Sequence, residues 1–147
     1  MKSMNMIFAG LFSVLLAWGS WFGGWSFYFD KGKPIVIHAY SQQPADQFEI
    51  ASETVLPPGD NRIRFAFTYD GGGMGKGGDM QILFNDEIIA QGRIERQIMV
   101  ASGLGETFDI GRDTGVTVVE EGAGTNPFNG EIHQVEVTPG RIIMLPF

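Results

Sequence analysis

Cysteine is absent from the 147 residues, which excludes disulfides, thiol nucleophiles and thiolate metal centres and leaves redox compartment unread. Histidine is scarce: His38 and His133 are the only two, too few for a three-histidine zinc site. Positive charge is also short, with 10 Lys and Arg against 17 Asp and Glu, a formal net charge of −7. No basic cluster offsets that balance locally, so nucleic acid is not an expected partner. No Gly-x-Ser-x-Gly elbow or credible catalytic triad occurs around any serine. Finally, no convincing helix, internal repeat or domain boundary is found, and the length suits one domain.

What is abundant is glycine, 21 residues spread without a period, about twice the usual ~7%. Aromatics make up 12% and supply the apolar area that a disordered chain lacks. Together these predict a turn-rich β protein. "RIRFAFTY" is the clearest half-buried strand, with Ile63, Phe65, Phe67 and Tyr69 on one face and Arg62, Arg64, Ala66 and Thr68 on the other. "DKGK" predicts a tight turn into "PIVIHAYS", whose Ile35, Ile37 and Ala39 oppose Val36, His38 and Tyr40. "FEIASE" reads as a short strand, and "NDE" as the turn joining "MQILFN" to "IIAQGRIE". "SQQPADQ" reads as a polar loop and "LPPGDN" as a tight turn. "QIMVASGLG" and "TFDIG" add short apolar runs, and "EIHQVEV" reads as a last strand. About eight to ten short strands joined by turns predict an antiparallel β-sandwich or jelly-roll-like all-β fold.

The N-terminus admits three readings. Between Ser3 and Phe29 no residue is charged, and Lys2 precedes the apolar run, which is the layout of a secretory signal or has the length of a membrane anchor. Against both, Trp25, Phe27 and Phe29 alternate with Ser26 and Tyr28, a strand period that favours two strands joined through Gly23-Gly24. A signal within residues 1–19 would imply a periplasmic or secreted protein; without one the location would be cytoplasmic.

Candidate sites are few. "GGGMGKGG" contains G-x-G-x-x-G at Gly73, Gly75 and Gly78, with Lys76 inside it. A phosphate loop needs a helix after the glycines, because the helix N-terminus supplies the N–H groups that hold phosphate. Here a strand follows, so a hairpin loop is expected, with Lys76 at its tip facing water, an anion or a partner. His38 and His133 lack an orienting partner and read as packed or surface residues. Glu106, Asp109 and Asp113 offer oxygen ligands but no EF-hand spacing, and Asp and Gly at this density are first of all turn formers. Trp18, Trp21, Phe22 and Trp25 form an aromatic group suited to interior packing, a domain contact or sugar stacking.

Four stretches together resemble the C-terminal β-rich domain of bacterial arylsulfatases, of the alkaline-phosphatase-like sulfatase family. They are "FGGWSFYFDKGKPIV", "LPPGDNRIRFAFTYDGGGMGKGGDMQILFNDEIIAQGRIER", "ETFDIGRDTG" and "PFNGEIHQVEV", in that family's order, within roughly residues 12 to 138. The resemblance implies that the intact enzyme hydrolyses sulfate esters, using calcium or magnesium and a formylglycine made in C/S-x-P-x-R. None of that machinery is in this sequence, so no catalytic or metal-binding residue carries over and no cofactor is expected on this chain. The run "DTGVTVVEEGAGTNPFNG" departs from the family pattern, which generally has a proline soon after DTG and a Pro-Phe-x-Phe-Thr-Gly ending. A strand precedes Phe-Gly-Gly in the family, which favours the strand reading of "SVLLAWG".

The expectation is a single domain over residues 11–138, an unmatched segment over 1–10 and a tail over 139–147. Its expected role is that of an arylsulfatase accessory domain, separated or fragmentary, packing on a sulfatase catalytic domain without activity of its own. A lectin-like module binding glycans through aromatic stacking is the alternative. Trp21, Trp25 and Lys76 are the expected contact residues in either case.

Overall fold

A computed structural model describes residues 4–6, 12–20, 22–41, 43–97, 107–119 and 126–138. Ten strands occur among them: β1 (Met4–Met6), β2 (Phe12–Ser20), β3 (Gly23–Asp30), β4 (Lys33–Ala39), β5 (Gln47–Ala51), β6 (Gly59–Asn61), β7 (Ile63–Tyr69), β8 (Lys76–Phe84), β9 (Glu87–Arg96) and β10 (Phe108–Ile110). One 3₁₀ turn, Pro44–Asp46, interrupts the loop before β5. The fold is all-β, and no helix among the described residues is long and apolar enough to cross a membrane.

The strands form a five-stranded sheet in the order β10-β2-β3-β4-β5, a three-stranded sheet β7-β8-β9, and a separate pair β1-β6. Every pairing in these sheets is antiparallel. Two tight turns set the registers of their hairpins. Lys31 and Gly32 between β3 and β4, and Asn85 and Asp86 between β8 and β9, all have positive φ, as a two-residue turn matched to strand twist requires. Asp30↔Lys33 and Phe84↔Glu87 close the two ladders.

The two larger sheets stack face to face. Alternation puts Phe27 and Phe29 of β3, Val36 of β4, Ile50 of β5, Met80 and Ile82 of β8 and Ile94 of β9 into one buried core. Full burial of such a side chain contributes about 1.5–3 kcal/mol. A bulge in β2 between Val14 and Leu16 breaks strict alternation. Leu15 and Leu16 both reach this core, while Val14 and Ala17 turn outward. The outward face of the larger sheet has its own small core, in which Tyr28, Ile37 and Ala39 are covered by Val118 from the segment after β10.

Two expectations are corrected. "LPPGDN" is not wholly a turn: Gly59–Asn61 is β6 and pairs with β1, in the N-terminal segment expected to match nothing. "EIHQVEV" forms no strand; after Glu131 the chain to Thr138 joins no sheet. "SQQPADQ" is a loop over its described residues up to Asp46, with the 3₁₀ turn inside it, and its last residue opens β5. Among its described residues, the uncharged run left between three readings forms β1, β2 and β3. Most of "QIMVASGLG" lies outside the described residues.

Candidate functional site

The stacking is lopsided. β9 lies over β5, where Gly92 makes the room that Ile50 occupies: a Cβ on Gly92 would stand 2.5 Å from Ile50 Cγ2. β7 lies over β3, with the Trp25 ring 5.2 Å from Phe65 and 5.3 Å from Phe67. Three strands cannot cover five, so among the described residues β2 and β10 extend past β7 with no strand of the smaller sheet above them. Their inner faces carry Trp18 paired with Phe108 and Leu16 paired with Ile110. Trp18, Phe108 and Ile110 remain 46%, 46% and 47% exposed.

An open groove of about 500 Å³ occupies this overhang. Its walls are mostly apolar, from Leu16, Trp18, Trp25, Phe65, Phe67 and Phe108, and Arg62 and Arg64 stand on the β7 side. Its size and lining fall in the range of ligand-binding clefts. The run after Glu131 borders it through Ile132, Val135 and Val137. Val137 is 68% exposed, so this run does not seal the groove.

Of the expected contact residues, Trp25 lies in the groove wall and Lys76 at the β7–β8 loop. Trp25 is half-buried in the groove wall, one face of its ring occupied by His38 at 4.4 Å and its other neighbours being Phe65 and Phe67. Lys76 is exposed at the first residue of β8, with no carboxylate in ion-pair contact among the described residues. Trp21 lies outside the described residues. Sequence reasoning did not single out Phe108 and Ile110, whose i, i+2 spacing in "TFDIG" was the available signal.

The glycine run is two structures. Gly71, Gly72, Gly73 and Gly75 have positive φ in the β7–β8 loop. Gly77 and Gly78 belong to β8, and a Cβ on Gly78 would meet Thr68 O at 2.4 Å. The loop is tied down: the Tyr69 hydroxyl donates to Gly73 O and accepts from Lys76 N–H. Below it Arg93 grips Asp70 and Asp79 at 2.7 Å each, which holds the Asp70 carboxyl below its ordinary range. The arrangement is a braced hairpin loop, without the helix a phosphate site would need.

Histidines and acids are occupied structurally. His38 is fully buried and lies 3.0 Å by Nδ1 from Gly24 O, the geometry of a neutral ring donating to a carbonyl, while Nε2 has no hydrogen-bond partner. Burial outweighs the bond to Gly24 and pushes its pKa down to about 4. His133 Nδ1 sits 3.4 Å from Glu131 at the surface. Asp109 accepts from Thr114 Oγ1, Thr114 N–H and Thr107 Oγ1, and these bonds, Thr114 Oγ1 first, lower its pKa despite burial. Asp113 accepts from Val118 N–H. Both carboxylates organise the loop after β10; Glu106 lies outside the described residues. No group of three His, Asp or Glu able to hold a metal occurs among the described residues.

No family model, curated protein or solved structure matches the chain.

Proposed function

We propose that the protein is a non-catalytic β-sandwich that serves as an arylsulfatase C-terminal accessory domain and packs on a sulfatase catalytic domain. The observation that carries this reading is where the sulfatase-like phrases fall. "FGGWSFYFDKGKPIV" spans β3, the Lys31-Gly32 turn and the first half of β4, and the longest phrase spans β6 through β9 with the braced β7–β8 loop and the Asn85-Asp86 turn. "ETFDIGRDTG" contains β10 and the Asp109 clasp, and "PFNGEIHQVEV" borders the groove. The phrases thus cover all three strands of the smaller sheet and β3, the first half of β4 and β10 of the larger one, while β2 and β5 lie outside them. Trp18, Phe108 and Ile110 on the exposed flank offer the apolar area that packing on a second domain requires.

The test is to mix the purified protein with a sulfatase catalytic portion that lacks its own C-terminal domain. A stable complex on size exclusion, with raised thermal stability of the catalytic portion, is the expected result; separate elution with unchanged melting overturns the reading.

A glycan-binding module is the second reading, favoured by Trp18 and Phe108 lying opposite one another and near half exposed on the groove lip. Calorimetry against sulfated and neutral glycans checks it, with loss of heat on Trp18→Ala required.

A further inference from the structure

Hydrogen bonds at its two ends fix which way the β7 backbone points. Asn85 N–H donates to Arg62 O at 2.8 Å, and Asp70 N–H donates to Gly77 O at 3.1 Å. The register between these points is unbroken from Ile63↔Phe84 to Tyr69↔Gly78. In an antiparallel ladder alternate residues turn their backbone groups to the partner. The even-numbered residues of β7 therefore face β8, and Ile63, Phe65, Phe67 and Tyr69 direct N–H and C=O groups away from it. No backbone hydrogen bond from the described residues reaches those outward groups. Of the protective devices common on edge strands, β7 carries charge at Arg64 and has neither a proline nor a bulge.

The free edge stands beside the groove. A strand added to β7 would lie over β2, in the column where the smaller sheet runs out. Its inward side chains would meet Trp18 and Phe108, and its outward ones would lie beside Arg62 and Arg64, which share the single carboxylate of Asp86 at 3.3 and 4.0 Å. Outward N–H and C=O groups repeating about every 7 Å are matched by an extended chain and by neither a helix nor a sugar. The chain's own Val135-Glu136-Val137 borders the groove without joining a sheet and alternates apolar with acidic residues beside it.

We propose that the free edge of β7 and the groove beside it form a docking site for an extended segment of a partner protein that alternates apolar and acidic residues. Main-chain pairing supplies the attachment, the groove selects the apolar residues, and Arg62 and Arg64 select the acidic ones. This inference stands on the edge and the overhang and does not require the partner to be a sulfatase.

The probe is the capped peptide Val-Glu-Val-Glu-Val-Glu-Val, as long as the seven residues of β7. Binding followed by calorimetry and tryptophan emission should be accompanied by slowed hydrogen exchange at Ile63, Phe65, Phe67 and Tyr69. Replacing both the third residue, a valine, and the central glutamate by proline should abolish binding in either strand direction, since the valine N–H faces β7 in an antiparallel pairing and the glutamate N–H in a parallel one, and proline cannot donate to a ladder. In the Arg64→Glu protein, whose folding is checked by its melting curve, affinity for the Val-Glu peptide should fall about fivefold and that for a Val-Lys peptide rise comparably. Equal binding of the proline peptide, or no binding of the Val-Glu peptide, overturns the proposal. So does strong protection of the four β7 amides in the free protein, which would show that residues 131–138 themselves occupy the edge.

Discussion

The two long sides of this sandwich are built differently. On the side where β5 meets β9, Gly92 removes a side chain so that Ile50 can enter, and Arg96 at the end of β9 reaches across to Asp46, which also accepts from Ser41 at 2.7 Å. On the other side β2 and β10 project past β7, leaving Trp18, Phe108 and Ile110 about half exposed. One flank buries what the alternation pattern offers; the other holds the same kinds of residue in reach of a partner. If the proposed docking holds, stability and recognition fall on opposite flanks, as expected where a rigid frame carries an exposed binding edge.

The largest effects are expected on the closed side. Ile94 of β9 is fully buried in the core, and Ile94→Thr removes apolar volume while burying a hydroxyl. The expected cost is about 2–4 kcal/mol, read as a lower urea midpoint at unchanged m-value. A cost below about 1 kcal/mol would mean that β9 is not packed as described.

Acid should act on the same core through His38. Its pKa is about 4 in the fold against 6.5 when exposed, so between these values the unfolded chain binds the proton and the folded chain does not. Stability present above pH 6.5 is therefore lost as pH falls toward 4, by up to about 3 kcal/mol. Losses from Asp46, Asp70 and Asp109, whose pKa values are lowered from 3.8, come at lower pH and leave this window to the histidine. Urea titrations at a series of pH values check this, and His38→Gln should flatten the profile between pH 7 and 4. A wild-type profile already flat there would show that the ring takes its proton without unfolding.

Much of the frame was legible because it depends on local rules. "RIRFAFTY" alternates, Lys31-Gly32 and Asn85-Asp86 are turn chemistry, and all appear where the period places them. The β1-β6 pair was missed because "GDN" has turn composition and becomes a strand only through its partner Met4–Met6. "EIHQVEV" failed for the opposite reason: alternation says which residues share a face, and says nothing of whether a ladder is there to receive them. The site was less legible still. Trp25 could be read as an aromatic of interest, but its place among His38, Phe65 and Phe67 depends on how the sheets stack. The overhang follows from five strands facing three, a tertiary count that no window of residues contains.

The smallest effect is expected from the same substitution on the open side. Ile110→Thr keeps a β-branched residue in β10, so strand preference is held while apolar surface is lost. Ile110 is 47% exposed with no strand of the smaller sheet above it among the described residues, so the ethyl group lost leaves no enclosed cavity. A cost under about 1 kcal/mol is expected, against several times that at Ile94. If the free flank serves recognition, Ile110→Thr should weaken capture of the Val-Glu peptide or of the catalytic portion more than it lowers the melting temperature. Equal costs at Ile94 and Ile110 would break the comparison, because they would show that both flanks are enclosed to the same degree.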